Sequence, residues 1–190
     1  MNNKLSNAAA LLIIDVQYAI DEPSWRTFGE RNNPQAEDHM ASSLCLWRQS
    51  GRRVIHIKHE SREPNSTYRP GQRGAEFKKC VAPAPGETII VKNVHSAFIG
   101  TNLESCLHDS GISQLVVFGV ITNNSVEATV RMAANLGFTV YLVEDASFTF
   151  AKPDYTGKIH TAEEVHAMSL ANMAGEYCAV INSSELALML

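Results

Sequence analysis

Three polar residues of this chain follow apolar runs and could act together on a substrate. Asp15 and Lys92 each come directly after an apolar run, and Ser125 lies in the polar turn that follows a third run. A carboxylate can take up and release a proton, an ammonium can stabilise a negative charge, and a hydroxyl can attack a substrate if a base removes its proton. These residue types therefore predict acid–base or nucleophilic chemistry.

Ser125 also precedes a helical pattern. Residues 119–129, GVITNNSVEAT, run from an apolar strand pattern through a polar turn into a helix. The N-terminus of a helix presents free N–H groups and a partial positive charge, which favours anions and nucleophiles. Each residue also has a purely structural interpretation: Ser125 and Asp15 as caps of helices or turns, and Lys92 as an exposed lysine at a strand exit.

The elements that must position these residues alternate between strand and helix patterns. Several of the apolar runs are continuous, which is typical of strands buried on both faces of a parallel sheet. Helical patterns at 35–49, 102–109, 126–136 and 161–173 lie between most of them. The six runs are 10–14, 53–57, 88–91, 115–120, 139–143 and 177–181.

This alternation predicts one α/β domain over residues 1–190. We expect a three-layer, Rossmann-like fold whose mostly parallel six-stranded sheet has the order 3-2-1-4-5-6, with helices on both faces. In that order strands 1 and 4 are neighbours where the strand order reverses, so Asp15 and Ser125 would face each other across the crevice that binds ligands in such sheets. Lys92 could then reach in with its long side chain.

Composition narrows the function class. The net charge is −4, without a basic stripe, so nucleic acid is not an expected partner. No apolar run approaches the roughly 20 residues of a membrane span, and the first residues lack the apolar core of a signal peptide, so we expect a cytoplasmic protein. The four cysteines have no C-x-x-C spacing and are expected to be free thiols. No G-x-G-x-x-G or P-loop pattern is present, so no cofactor is expected.

Six segments, taken in order, resemble the isochorismatase-like hydrolase superfamily, which includes nicotinamidases, N-carbamoylsarcosine amidohydrolases and isochorismatases. Several motifs in register make the resemblance specific, and it covers most of the chain. The segments are LIIDVQ (12–17), VIHIKH (54–59), VKNVHSAFIGTNL (91–103), GVITNNSVEAT (119–129), NLGF (135–138) and VEDA (143–146).

The resemblance implies hydrolysis of a small amide, imide or vinyl ether by an Asp, Lys and Cys triad. Asp15 then corresponds to the general base, Lys92 to the cation beside it, and Ser125 occupies the position of the cysteine. A cis peptide is implied between Val120 and Ile121, with the N–H groups of Ile121 and Ser125 as the oxyanion hole. The family also implies a homodimer or homotetramer, and the apolar segment 186–190 is typical either of an interface or of packing on its own chain.

The serine leaves four interpretations open, because its hydroxyl is far less acidic than a thiol. Ser125 could be a nucleophile that Asp15 activates, or Asp15 could act on bound substrate or water without a covalent step, as the isochorismatases that lack the cysteine suggest. The site could instead bind a ligand without turnover. Finally, the chain could be a Cys-to-Ser variant that traps the complex of a cysteine amidohydrolase.

For the substrate pocket, the resemblance and the positions along the chain indicate Gln17, His59 and Phe98, together with Ile121. Two long polar loops, 21–33 and 61–85, could add Trp25 and Arg69, and their arginines would suit a small anionic or amide substrate. Nicotinamidases hold a divalent ion through one Asp and two His. Here His56 and His59 are three residues apart near a strand, where they cannot readily face one ion, so no metal is predicted.

Overall fold

The computed structural model describes residues 4–190 of the chain, and a six-stranded sheet forms its centre. A two-stranded antiparallel ribbon, Lys152–Pro153 with Ile159–His160, lies outside this sheet. The strands are β1 (Ala9–Ile14), β2 (Arg53–His59), β3 (Thr88–Lys92), β4 (Gln114–Val120), β5 (Thr139–Phe148) and β6 (Ala179–Ile181). The helices are α1 (Ala36–Gln49), α2 (Leu103–Asp109), α3 (Glu127–Asn135), α4 (Ala162–Met173) and α5 (Ser183–Met189).

The order of the strands is β3-β2-β1-β4-β5-β6, and every neighbouring pair is parallel. The predicted fold class and strand order are therefore confirmed. The strand ends differ from the predicted ones at two places that matter. β2 continues to His59 and β5 to Phe148, because polar residues near a strand end pair with a neighbouring strand as readily as apolar ones do.

Alternate residues of β1 enter two separate cores, one on each face of the sheet. Leu11 and Ile13 pack with the face that α1 and α5 cover, whereas Leu12 and Ile14 pack with the face that α2, α3 and α4 cover. All of β1 is buried, so the sheet contributes apolar side chains to both layers. This explains the continuous apolar runs in the sequence.

Several local signals in the sequence have the expected structural effect. Thr161 and Glu164 form a capping box that begins α4, and Gly137 has a φ of +91° just after α3. α3 starts at Glu127 rather than at the predicted residue 126, because residues Thr122–Val126 form a π-helical turn. In α5, Leu186 is buried in the core of its own chain.

Both long loops are tied to α1 by a network of charged groups. The ammonium of Lys78, in the loop 61–85, donates to Asp21 Oδ1 at 2.6 Å and to Glu37 Oε1 at 2.8 Å. Glu37 lies in the first turn of α1 and also accepts from Arg31, which belongs to the loop 21–33. The two loops that enclose the crevice are thus fixed to the same helix.

No helix within residues 4–190 has both the length and the apolar character that crossing a membrane requires.

Gly119 allows β1 and β4 to approach each other closely where Asp15 leaves β1. Its φ is +139°, and a Cβ atom there would lie 2.2 Å from the carbonyl oxygen of Ile14 and 2.7 Å from its nitrogen. Both atoms belong to the backbone, so they cannot rotate away. Only glycine fits this position without moving one of the two strands.

We therefore expect Gly119→Ala to lower the free energy of unfolding by at least about 2 kcal/mol, because the added methyl group meets rigid backbone atoms. Gly111→Ala is the matched control: Gly111 also has a positive φ, +65°, but nothing lies within 4 Å of its Cβ position. Its expected cost is about 1 kcal/mol. Urea unfolding measures both variants, and equal losses would contradict the close approach.

Candidate active site

Asp15 is held in an unusual backbone conformation at the end of β1. Its φ is +52°, in the left-handed region that residues other than glycine seldom adopt. Its N–H donates to the carbonyl of Ile57 at 3.0 Å, and its own carbonyl accepts from the N–H of Gln17 at 2.8 Å. These bonds turn the chain sharply and hold the buried carboxylate in the crevice beside β4. Strained residues of this kind are concentrated at functional sites.

The side chain of Lys92 spans β2 and joins the crevice from β3. Only 1% of Lys92 is exposed. Its ammonium donates to Asp15 Oδ2 at 2.6 Å, to the carbonyl of Val94 at 3.1 Å and to Ser125 Oγ at 3.3 Å. An ammonium has three protons, so all of them are used by these partners. Lys92 is therefore a fixed, fully bonded cation at the centre of the site.

The π-helical turn brings Ser125 to the same cation. The N–H of Val126 donates to the carbonyl of Ile121, five residues earlier, at 3.4 Å, and this bond defines the wide turn. The N–H of Asn124 donates to the same carbonyl at 3.1 Å. Ser125 is 8% exposed at the head of α3. The peptide bond between Val120 and Ile121 is cis, the conformation that the family resemblance implies at this bond.

Burial raises the pKa of Asp15, while the positive charge and the hydrogen bond of Lys92 act in the opposite direction. The net direction is upward from the usual 3.8, because removing a carboxylate from water is costly even beside a cation. Asp15 Oδ1 is buried and has no hydrogen-bond partner in residues 4–190. This oxygen is thus available to accept a proton.

A cavity of about 200 Å³ opens on Asp15 and Ser125. Pockets for drug-sized ligands are typically about 300–1,000 Å³, so this cavity suits only a small group. A second cleft of about 460 Å³ adjoins it and shares Trp25, His95, Ile121 and Asn124 with it. The cavity is lined by Asp15, Ile20, Trp25, His59, Ser66, Tyr68, His95, Val120, Ile121, Asn124 and Ser125.

Two polar side chains in the wall of this cavity, His59 and Tyr68, are uncharged near neutral pH. Burial, together with the positive charges of Lys92 and His95, lowers the pKa of His59 to about 4. Burial and the negative charges of Asp15 and Asp21 raise the pKa of the Tyr68 phenol. The two rings contact each other edge to face, with centroids 5.4 Å apart. A neutral imidazole and a phenol can exchange hydrogen bonds with an uncharged polar group.

Two of the predicted substrate-binding residues lie outside the cavity. The side chain of Gln17 is fully buried and used by the backbone: its Nε2 donates to the carbonyls of His59 and Ala75, and its Oε1 accepts from the N–H of His59. Phe98 stacks on Phe138 within the core. The side chains of Gln17 and Phe98 thus lie outside the lining of this cavity, whereas His59, Ile121 and Trp25 line it.

The arginines of the loop 61–85 also lie elsewhere. Arg62 donates to Asn93, Arg69 donates to the carbonyl of Pro64, and Arg73 stacks over the ring of Tyr18. The structure thus contradicts the expectation that Arg69 lines the pocket. Within residues 4–190, no lysine or arginine lines the 200 Å³ cavity, whereas Lys152 lines the adjoining cleft.

The two histidines of the possible metal site point to opposite faces of β2. His56 Nε2 lies 2.8 Å from Glu87 Oε2, whereas His59 lines the cavity. Across residues 4–190, no three His, Cys, Asp or Glu side chains come together as a set that could hold a metal ion. These residues do not form the Asp and two-His set that nicotinamidases use. The four cysteines, all in the described part of the chain, are free, and none lines the cavity.

Five wall residues were not predicted from the sequence: Ile20, Ser66, Tyr68, His95 and Asn124. Two of them were accessible from the motifs, because His95 lies three residues after Lys92 and Asn124 directly precedes Ser125. Tyr68 lies in the irregular loop 61–85, where no periodicity shows which side chains turn inward.

We expect Lys92→Met to lower the free energy of unfolding by about 3–5 kcal/mol, because it leaves the buried Asp15 carboxylate without its cation. The double variant Asp15→Asn/Lys92→Met should lose less than the sum of the two single variants. Arg26→Met is the control, since the Arg26–Glu30 pair is 3.7 Å apart and exposed, and its expected cost is below about 1 kcal/mol. Urea unfolding measures these free energies. A loss in the double variant equal to the sum of the two single losses would contradict the energetic coupling between Asp15 and Lys92.

Comparison with known proteins agrees with the geometry. The isochorismatase domain family matches residues 9–185. The crystal structure of an isochorismatase-family protein from Chromobacterium violaceum ATCC 12472 has a TM-score of 0.94 and 56% sequence identity, covering 98% of this chain and 95% of that one. YrdC of Bacillus subtilis (strain 168), an uncharacterized isochorismatase family protein, is 41% identical over 177 residues, 93% of each chain. A streptothricin hydrolase of Streptomyces noursei is 31% identical over 168 residues, 85% of this chain and 58% of its own length. The chain therefore belongs to the isochorismatase family of hydrolases.

Proposed function

We propose that this protein hydrolyses a small, uncharged amide or imide, with Asp15 as the acid–base group and Ser125 as the nucleophile. One observation carries the proposal. The ammonium of Lys92 bonds both Asp15 Oδ2 and Ser125 Oγ, while Asp15 Oδ1 stays buried and unpaired in residues 4–190. Lys92 thus holds the Asp15 carboxylate, which has a free oxygen to accept a proton, beside the Ser125 hydroxyl that must lose one.

The raised pKa of Asp15 supports its role as the base. A serine hydroxyl is a weak acid, so it attacks only if an adjacent base takes its proton during the attack. A carboxylate whose pKa lies above the usual 3.8 holds a proton more strongly than an ordinary aspartate does. The charge and the hydrogen bond of Lys92 lower the pKa of the same carboxylate and so favour its ionised form before the reaction.

The reaction would run in two halves. In the first, Ser125 Oγ bonds to the substrate carbonyl carbon while its proton moves to Asp15 Oδ1. The C–N bond then breaks, and Asp15 returns this proton to the leaving nitrogen, which leaves an acyl group on Ser125. In the second half, water attacks this ester, Asp15 takes its proton, and the acid departs as the proton returns to Ser125 Oγ.

Negative charge on the substrate oxygen needs donors other than Lys92, whose three protons are already bonded. The N–H groups of Ile121 and Ser125 are the proposed oxyanion hole, because both belong to the turn that lines the cavity. Backbone donors are fixed before the reaction, so they stabilise the developing charge without reorganisation.

The charges around the cavity favour an uncharged substrate over an isochorismate-like dianion. The Lys92 charge is balanced by Asp15, His59 is neutral near pH 7, and the loop arginines have other partners. Lys152 lines the adjoining cleft and not the 200 Å³ cavity. Burying two carboxylates without cations would cost several kcal/mol for each. The hydrolase name of the Streptomyces noursei relative agrees with a hydrolytic reaction. A homodimer or homotetramer and a cytoplasmic location stay predictions.

Ser125→Ala is expected to lower kcat for the best substrate of a panel of small neutral amides by at least about 1,000-fold, because the nucleophile is gone. Ser125→Cys should keep or raise the activity, since the same surroundings favour a thiolate. Ammonia release measures the rates, and Ser105→Ala and Ser105→Cys, on the exposed side of α2, are matched controls.

Three other results would contradict this mechanism. Full activity of Ser125→Ala would mean that Asp15 acts on water or substrate without a covalent step. Activity of Ser125→Cys alone would identify the serine form as a trapped cysteine amidohydrolase. Micromolar binding of an amide without turnover by any form would identify a ligand-binding homologue.

The pH dependence tests Asp15 separately. Because the ionised carboxylate must accept the proton, kcat/KM is expected to rise with pH through a midpoint above 3.8, the direction in which burial shifts the Asp15 pKa. Asp15→Asn should remove this limb together with the activity. His59→Gln is the matched control, because the pKa of His59 is about 4 and His59 therefore titrates in the same pH range. If His59→Gln abolishes the limb instead, the assignment to Asp15 is wrong.

A further inference from the structure

The inner face of α4 contacts the Ser125 turn and the start of α3 through two side chains. His166 Nδ1 lies 2.8 Å from the hydroxyl oxygen of Thr122, the first residue of the π-helical turn. One helical turn further along, Ser169 donates to Glu127 Oε2 at 2.7 Å, at the first residue of α3. α4 thus bonds residues on both sides of Ser125.

The surroundings of His166 indicate which of its two ring nitrogens accepts a hydrogen bond. Burial lowers the pKa of His166 to about 4, so the ring is neutral near pH 7 and has one donor and one acceptor nitrogen. Its Nε2 lies 3.9 Å from Glu144 Oε2. A lone pair facing a carboxylate would be repelled, so the proton belongs on Nε2. Nδ1 is then the acceptor, and the Thr122 hydroxyl donates to it.

Thr122 depends on this bond because it has no access to water. Its exposed fraction is 0%, and that of His166 is 6%. A buried hydroxyl that loses its acceptor bears the full cost of desolvation, so the turn would move to find another partner. Ser125 lies three residues along the same turn, and its bond to Lys92 is already long at 3.3 Å. A further shift would break that bond.

We propose that His166 is a positioning residue: it accepts the Thr122 hydroxyl and thereby fixes the turn that carries Ser125 beside Asp15 and Lys92. The proposal rests on the proposed hydrolase function for its kinetic consequence. His166 does not line the 200 Å³ cavity, so it acts through Thr122 and not on the substrate.

The first experiment measures kcat and KM for His166→Leu, His166→Asn and Thr122→Val. Misplacing a catalytic group by 1 Å can cost about 100-fold in rate, so His166→Leu and Thr122→Val are each expected to lower kcat by about 10- to 100-fold with KM nearly unchanged. His166→Asn should recover most of the loss, because its amide oxygen can replace Nδ1 as acceptor. The double variant Thr122→Val/His166→Leu should be no worse than either single variant.

A second readout does not need a substrate. In a Ser125→Cys background, the rate at which iodoacetamide alkylates the new thiol reports its position beside Lys92, because that cation favours the thiolate. Mass spectrometry of the peptide that contains position 125 separates this thiol from the four native cysteines. His166→Leu should slow alkylation by at least about tenfold, and His166→Asn should restore it. The control is His108→Leu on α2, whose side chain is exposed.

The two arms separate failure of this proposal from failure of the proposed function. If no amide is hydrolysed but His166→Leu still slows alkylation, the positioning role is supported and the hydrolase proposal fails. If alkylation and kcat stay within about twofold in folded His166→Leu and Thr122→Val, the positioning role is wrong. If His166→Leu does not fold, the nearly isosteric Thr122→Val decides alone, with circular dichroism as the check on folding.

Discussion

The buried ion pair between Lys92 and Asp15 is the interaction on which the rest of this site depends. It joins side chains from β3 and β1, two strands that do not touch because β2 lies between them. The pair can form only if the sheet has this order and if the lysine extends across a whole strand. A desolvated ammonium needs every proton bonded, and the third bond, to Ser125, connects the π-helical turn to the same charge.

The backbone around the pair is as constrained as the side chains. Asp15 adopts a left-handed conformation directly after a buried strand, and Gly119 lets β4 pass close to the last residue of that strand. Both features lie where β1 and β4 meet at the crevice. The backbone therefore departs from regular strand geometry where the carboxylate of Asp15 and the turn that carries Ser125 meet.

The fold and the polar residues that meet in the crevice could be predicted from the sequence, but the pocket walls only in part. Asp15 and Lys92 are recognisable because a charge directly after a buried run must lie at a strand end, where parallel strands share an edge. The direction of the Gln17 side chain could not be predicted, because it depends on the backbone turn at Asp15. The place of Phe98 could not be predicted either, because the ring that it contacts, Phe138, lies 40 residues further along the chain. Tyr68 comes from a loop without periodicity, so its inward direction depends on tertiary contacts alone.

The serine at the head of the turn has a consequence for how this protein tolerates oxidants. In a cysteine hydrolase the reactive thiolate is the atom that peroxide converts to sulfenic acid and then, irreversibly, to sulfinic acid. The resemblance to the family implies that Ser125 occupies the position of this cysteine, and a hydroxyl oxygen has no such series of oxidation states. The four thiols of the described chain lie away from the cavity, and burial raises the pKa of Cys80 and Cys178 to about 11. With Ser125 as the proposed nucleophile, the site would keep its activity in oxidising conditions that inactivate a hydrolase whose nucleophile is a thiolate.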